Sequence, residues 1–226
     1  MSSPNQSMKD VSLYVFDMDG VLVDSLMVME MAFRASMYDY YGYAVSPNAI
    51  AERFKEYRKH LGKGFKQIMD EIGLPHELHP HFVRHSRYLA KYVVAYPGVD
   101  RLLRTLRDQG KTLCVATGKD GQRATELLRR LNLLAYFDKV IGSDQAPPKP
   151  NPVVLLNYMQ AFNTLPEHTL MIGDSPADLL CAKSAGVRSV AALWGYTAPQ
   201  ELEMYRPAFS FESPDEMMEQ TEEVSI

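Results

Sequence analysis

The sequence predicts an α/β protein: a parallel sheet with helices on both faces, and an all-helical module inserted after the first strand. Three observations carry that expectation. From residue 99 onward, short apolar runs alternate with helical patterns, the layout of a sheet buried on both faces. The stretch from about Ser25 to Tyr92 is rich in methionine and aromatic residues and holds no strong strand signal. Polar clusters sit at the carboxyl ends of the strands, where open parallel sheets bind ligands.

Residues 11 to 17 form the first expected strand, and the helical stretch follows it. A Pro97-Gly98 turn then opens a helix whose Val99, Leu102, Leu103 and Leu106 recur at i, i+3, i+4 and i+7 until Gly110 closes it. The run TLCVAT is the next strand, ending at Thr117. A helix from about Arg123 to Leu131 shows Leu127, Leu128 and Leu131 on one face, and a strand KVIGSD succeeds it. The remaining units are a helix near Pro152 to Phe162, a strand TLMIGD, a helix PADLLCAKSAG and a strand SVAALW. This pattern divides the chain into a core of residues 1–24 and 95–226 and a helical unit of residues 25–94. Asp24-Ser25 and Tyr96-Pro97-Gly98 are the expected hinges between them.

With 226 residues, 46% of them hydrophobic and 23% charged, the chain is long enough for one sizeable core and a smaller accessory unit. The net charge of -4 and the acidic DEMMEQTEE tail argue against a nucleic-acid footprint, which needs a basic face. No apolar run approaches the roughly 18 residues that span a bilayer. The opening MSSPNQSMKD lacks the apolar stretch of a secretory signal, so the expected location is cytoplasmic, with no membrane partner. Cys114 and Cys181 lie in apolar contexts and read as reduced, buried thiols without a catalytic role. Nothing in the sequence fixes an oligomeric state.

The densest chemistry is in LYVFDMDGVLVDS. Asp17 and Asp19 are two positions apart at the end of an apolar strand, and side chains at i and i+2 point the same way. Two converging buried carboxylates are costly without a cation, so the spacing points to a hard metal ion such as Mg²⁺ and to phosphate chemistry. The alternative is a strand that simply runs into an Asp19-Gly20 turn. Further polar groups at the same rim are Thr117-Gly118-Lys119, Gly173-Asp174, and Lys149 in a proline-flanked loop.

Taken in order, DMDGVLVDS, ATGK, the lysine of PPKPNP and IGDSPADLLCAKSAG resemble the four motifs of the haloacid dehalogenase superfamily. The resemblance covers nearly the whole chain, and the helical insert resembles the cap of the phosphoglycolate phosphatase-like branch. It implies a Rossmann-like core with an all-α cap domain. It also implies Asp17 as nucleophile, attacking phosphorus to form an aspartyl-phosphate, and Asp19 as general acid and then general base. Dehalogenases and phosphonatases lack an aspartate at the position of Asp19, so DMD points to phosphate esters. The phosphoryl oxygens would be bound by the backbone of Met18 and Asp19, by Thr117 and Gly118, and by Lys149, which would also neutralise Asp17. The metal would be held by Asp17, the main-chain carbonyl of Asp19, and Asp174.

Asp178 reads two ways: as support for the metal or Lys149, and as an acid in the first turn of a helix that Ser175 caps. The family often has asparagine or serine where this chain has Gly118, which keeps a backbone donor and loses a side chain. Lys119 faces either solvent or substrate. In the insert, EYRKHLGKGFK places Arg58, Lys59, His60, Lys63 and Lys66 around two glycines. That is either a basic substrate-contacting turn, with Arg58 and Lys63 its first candidates, or a solvated helix face with a break. His76, His79, His81 and His85 suggest a structural zinc site or, without accompanying cysteines and amid prolines, exposed cap residues.

The expected activity is Mg²⁺-dependent hydrolysis of a small phosphomonoester, phosphoglycolate or a sugar phosphate. A phosphosugar mutase of the β-phosphoglucomutase type uses the same residues. A non-catalytic binding or regulatory module on the same fold is the alternative of another class.

Overall fold

A computed structural model describes residues 8–222. In chain order the elements begin with β1 (Leu13–Phe16), β2 (Val23–Asp24), α1 (Leu26–Tyr41), α2 (Pro47–Arg58), α3 (Phe65–Ile72), α4 (Leu78–Leu89) and β3 (Val94–Ala95). There follow α5 (Val99–Asp108), β4 (Thr112–Ala116), α6 (Gly121–Arg130), β5 (Lys139–Ile141), α7 (Val153–Ala161) and β6 (Thr169–Gly173). The chain closes through α8 (Pro176–Ser184), β7 (Arg188–Ala192), α9 (Pro199–Glu203), β8 (Phe209–Phe211) and α10 (Pro214–Glu222).

Six strands form one parallel sheet in the order β5-β4-β1-β6-β7-β8. The chain leaves β1 toward one side and later returns to build the other, so β1 lies at the switch point between β4 and β6. Strand alternation sends Tyr14 and Phe16 into one core cluster and Leu13 and Val15 into another. β4 repeats the division, with Leu113 and Val115 on the first face and Cys114 and Ala116 on the second. Each face is covered by helices, which is the expected α/β class.

The helices between residues 26 and 89 enclose an aromatic cluster. Phe33 lies 5.6 Å from Phe54 and 5.3 Å from Tyr57, and Phe65 lies 4.8 Å from Phe82, measured between ring centroids. Ser46 caps α2 by accepting from the Ala49 N–H at 3.2 Å, with Pro47 in the first turn. The chain enters and leaves this segment through one antiparallel ribbon, Val23 opposite Ala95 and Asp24 opposite Val94. A boundary drawn at residues 24/25 and 94/95 passes through that ribbon.

The observed strands are shorter than the apolar runs suggested, and β8, α9 and α10 arise where no element was expected. Phe209 and Phe211 pair with β7 as an edge strand, a match that tertiary packing decides for three residues of weak pattern. The cap histidines are another correction, since only His76 is exposed. His81 and His85 are half-buried where α4 packs against α1, and both face Asp39 of α1, at 3.4 and 2.5 Å. Cys114 and Cys181 are free and buried. No helix among the described residues is long and apolar enough to cross a membrane.

Candidate active site

The carboxyl end of β1 delivers Asp17 between the ends of β4 and β6, because Phe16 is level with Val115 on one side and Ile172 on the other. The Asp17 N–H donates to the Ile172 carbonyl at 2.8 Å and the Thr117 N–H to the Ile141 carbonyl at 3.1 Å, extending the ladder into the site. Gly20 then turns the chain at φ +90°. A Cβ there would lie 2.1 Å from Asp174 Oδ2, so only glycine lets the backbone pass this carboxylate.

Four charged side chains are almost fully buried here: Asp17, Lys149, Asp174 and Asp178. Lys149 Nζ donates to Asp17 Oδ1 at 2.8 Å, to Asp178 Oδ1 at 2.5 Å and to the Ala116 carbonyl at 2.9 Å. Asp178 Oδ2 accepts from the Ser175 N–H at 3.1 Å and hydroxyl at 2.6 Å, and Ser175 caps α8, so Asp178 stands in the first turn of that helix while its other oxygen holds Lys149. Asp174 Oδ2 accepts from the Tyr196 N–H at 2.8 Å.

Asp17, Asp174 and Asp178 each bring an oxygen within 4.8 Å of the others, against one lysine. Burial drives the Asp174 carboxyl well above its usual range, with Asp17 and Asp178 adding to it. Burial also pushes Asp17 up to about 7, opposed by Lys149. On Lys149, burial acts against the charge, but Asp17 and Asp178 outweigh it and hold the ammonium above its ordinary range. Three acids sharing one ammonium leave a charge deficit that a divalent cation with oxygen ligands fits.

Asp19 stands in a different field. Burial works against its charge, but Lys119, 3.1 Å from Oδ2, and the Ser25 hydroxyl, 2.5 Å from Oδ1, hold its carboxyl below the usual range. The Ser25 N–H donates to the Tyr196 hydroxyl at 2.7 Å, which ties the start of α1 to the loop that also holds Asp174. Lys119 is therefore neither solvent-facing nor idle. It neutralises Asp19.

Asp17, Asp19, Thr117 and Gly118 line a pocket of about 40 Å³, closed from the helical segment by Tyr57 and Phe65. The Gly62–Lys63 backbone rests directly on Gly118, where a Cβ would lie 2.3 Å from the Lys63 carbonyl oxygen. That contact explains the absent side chain at this position. Met18 is fully buried, so only its backbone is placed to meet a ligand. Lys63 lines the pocket, but its ammonium is held by Glu71 at 2.7 and 2.8 Å. Arg58 is not brought here. It is exposed at the end of α2 and lies in a separate groove with Lys55 and Lys59.

Arg123 is the member of the pocket that sequence reasoning missed. It is 6% exposed, pairs with Asp120, donates to Ser86 Oγ of α4 at 3.0 Å and sits 5.7 Å from the Phe82 ring. Within GKDGQRATELL it reads as one of several polar helix positions, and no spacing marks it. Tyr196 has no motif either, since its place depends on the turn after β7.

A Rossmann-like sheet whose switch point carries this acid and lysine cluster, under a helical cover, defines a hydrolase of the haloacid dehalogenase type. The family model for haloacid dehalogenase-like hydrolases matches residues 14–192, and the chain belongs to that family. Within it the chain is a phosphatase of the phosphoglycolate phosphatase-like kind. It is 28% identical over 210 residues to a phosphoglycolate phosphatase of Aquifex aeolicus, covering 90% of this chain and 93% of that protein. A phosphoglycolate phosphatase of Vibrio cholerae is 30% identical over 217 residues, covering 89% and 93%. The crystal structure of a hydrolase from Pseudomonas syringae superposes with a TM-score of 0.80 at 22% identity, covering 95% of this chain and 99% of that one.

Proposed function

We propose that the protein hydrolyses a small phosphomonoester, of the phosphoglycolate or sugar phosphate kind, through a phosphorylated Asp17. The observation that supports this most directly is the buried cluster of Asp17, Asp174 and Asp178 around a single Lys149 at the carboxyl end of β1. An Asp17 oxygen attacks phosphorus, the ester P–O bond breaks, and the departing oxygen takes a proton from the Asp19 carboxyl. Asp19, now the carboxylate, takes a proton from water as the water oxygen attacks phosphorus and releases Asp17. Lys119 and Ser25 favour this carboxylate form, which serves the base role, while the acid role requires a proton held against that field. Thr117 and the backbone of Met18, Asp19 and Gly118 donate to the phosphoryl oxygens, and Lys149 offsets the charge on Asp17. Asp17, Asp174 and the Asp19 carbonyl would hold Mg²⁺, which supplies charge neutralisation on the phosphoryl group, while Asp178 positions Lys149.

The deciding experiment is phosphate release from a panel that includes phosphoglycolate and hexose phosphates, with and without EDTA. Release that EDTA abolishes supports the assignment, and turnover only with a bisphosphate activator would convert it to a mutase.

Two further results are expected. Gly118→Asn places its Cβ against the Lys63 carbonyl and lifts the 60–64 loop, so kcat/KM falls about 10-fold or more as water enters the site. Unchanged kinetics would show that this seat is dispensable. The second concerns pH. Asp17 and Asp174 bind protons more tightly folded than unfolded, so without metal their contribution lowers stability as pH rises from about 4 toward 7. Bound Mg²⁺ favours the carboxylates. The rise in Tm that Mg²⁺ produces, read by differential scanning fluorimetry against EDTA, therefore grows between pH 5 and pH 7.5, and a Tm indifferent to Mg²⁺ at the higher pH would argue against the cation site.

A further inference from the structure

The pocket at Asp17 and Asp19, at about 40 Å³, has room for a phosphoryl group and little else. Beside it a cavity of about 250 Å³ lies between α1, the end of α4 and α6. The two compartments share Met29, Lys119 and Arg123, and Ser25, which donates to Asp19, lines the larger one. A phosphate ester anchored at Asp17 would have this cavity beside it for its alcohol portion.

The surface of this cavity is mostly aliphatic. Val28, Met29, Val93 and Leu127 are each at most 6% exposed, yet all four face open space. Side chains buried to that degree normally pack against one another, and a void forfeits those contacts. The cations at its margin are already engaged: Lys119 by Asp19, Arg123 by Asp120, Arg87 by Glu126 at 3.3 Å, and Arg130 by the Lys91 and Val93 carbonyls. Three of these face a carboxylate, whereas the neutral carbonyls leave the Arg130 charge uncompensated. The rest of the wall is apolar surface of ring size.

Building on the phosphatase reading above, we propose that this cavity is the leaving-group subsite and that it selects phosphate esters whose alcohol presents a ring-sized apolar face over those of one- or two-carbon alcohols. Recognition comes from Val28, Met29, Val93 and Leu127, with Lys119 and Arg123 at the junction with the phosphoryl pocket.

The test is the binding of methylphosphonate and cyclohexylphosphonate to the Mg²⁺-loaded protein by isothermal titration calorimetry. Their C–P bonds survive attack by an aspartate, so the subsite is read without turnover. Cyclohexylphosphonate is expected to bind about 10-fold tighter or better, the scale of burying one ring against aliphatic walls. Ala90→Trp fills the cavity from the α4 side and should reduce the preference to within about 2-fold, and Leu127→Trp should do so from α6. Equal binding of the two compounds by the wild type, or no binding of either, overturns the proposal, as does a preference that survives both substitutions. The preference without any phosphoester hydrolysis would keep the subsite and sink the phosphatase reading. Hydrolysis without the preference would do the reverse.

Discussion

Asp17→Asn is expected to lower turnover by about 10⁴-fold or more, the scale of removing a covalent nucleophile, while leaving the fold intact. An amide oxygen still accepts from Lys149 Nζ, and the residue remains in register between β4 and β6, so nothing that positions the strand is lost. The substitution also removes one of three crowded acids. In EDTA at pH 7.5 the variant should match or exceed the wild type in Tm, since burial makes ionised Asp17 unfavourable there. Phosphate release and circular dichroism on the same preparation check both halves, and near-wild-type turnover with an unchanged spectrum would refute the nucleophile assignment.

Lys149→Met is expected to destabilise the fold by about 3–5 kcal/mol in EDTA, the cost of stripping the partner from buried charge. Lys149 is 3% exposed and reaches two carboxylates and the Ala116 carbonyl, and no other lysine or arginine is in ion-pair contact with Asp17 or Asp178 among the described residues. Methionine fills similar volume, so the loss is electrostatic rather than a cavity effect. Mg²⁺ should recover part of it by supplying the missing positive charge. Urea denaturation with and without Mg²⁺ gives the numbers, and a metal-free difference under about 1 kcal/mol would mean that the acids are neutral or solvated instead of held by this lysine.

The cap was the least legible part of the chain. Its basic turn attracted attention to Arg58 and Lys63, but α2 carries Arg58 away from the pocket and Glu71 engages Lys63. A run of cations reports composition, and helix orientation decides which of them reaches a site. Arg123 shows the converse, because nothing in its neighbourhood marks it until α6 packs against Phe82 and Ser86. Gly118 looked like a departure that merely lost a side chain. Its physical meaning is the carbonyl of Lys63 above it.

By itself the sequence determined the α/β class, the order of the central units and the placement of Asp17, Asp19, Thr117, Lys149, Asp174 and Asp178 at or beside one rim. These follow from local rules: period-2 burial along strands, helix caps, and the tendency of parallel sheets to bind at their carboxyl ends. Only the tertiary structure decided how the charges divide, with Lys149 shared by Asp17 and Asp178, Lys119 given to Asp19, and Tyr196 joined to both Asp174 and Ser25. These pairings join residues separated by up to 171 positions, and their energies depend on burial and on distances of a few ångströms that no spacing in the chain encodes.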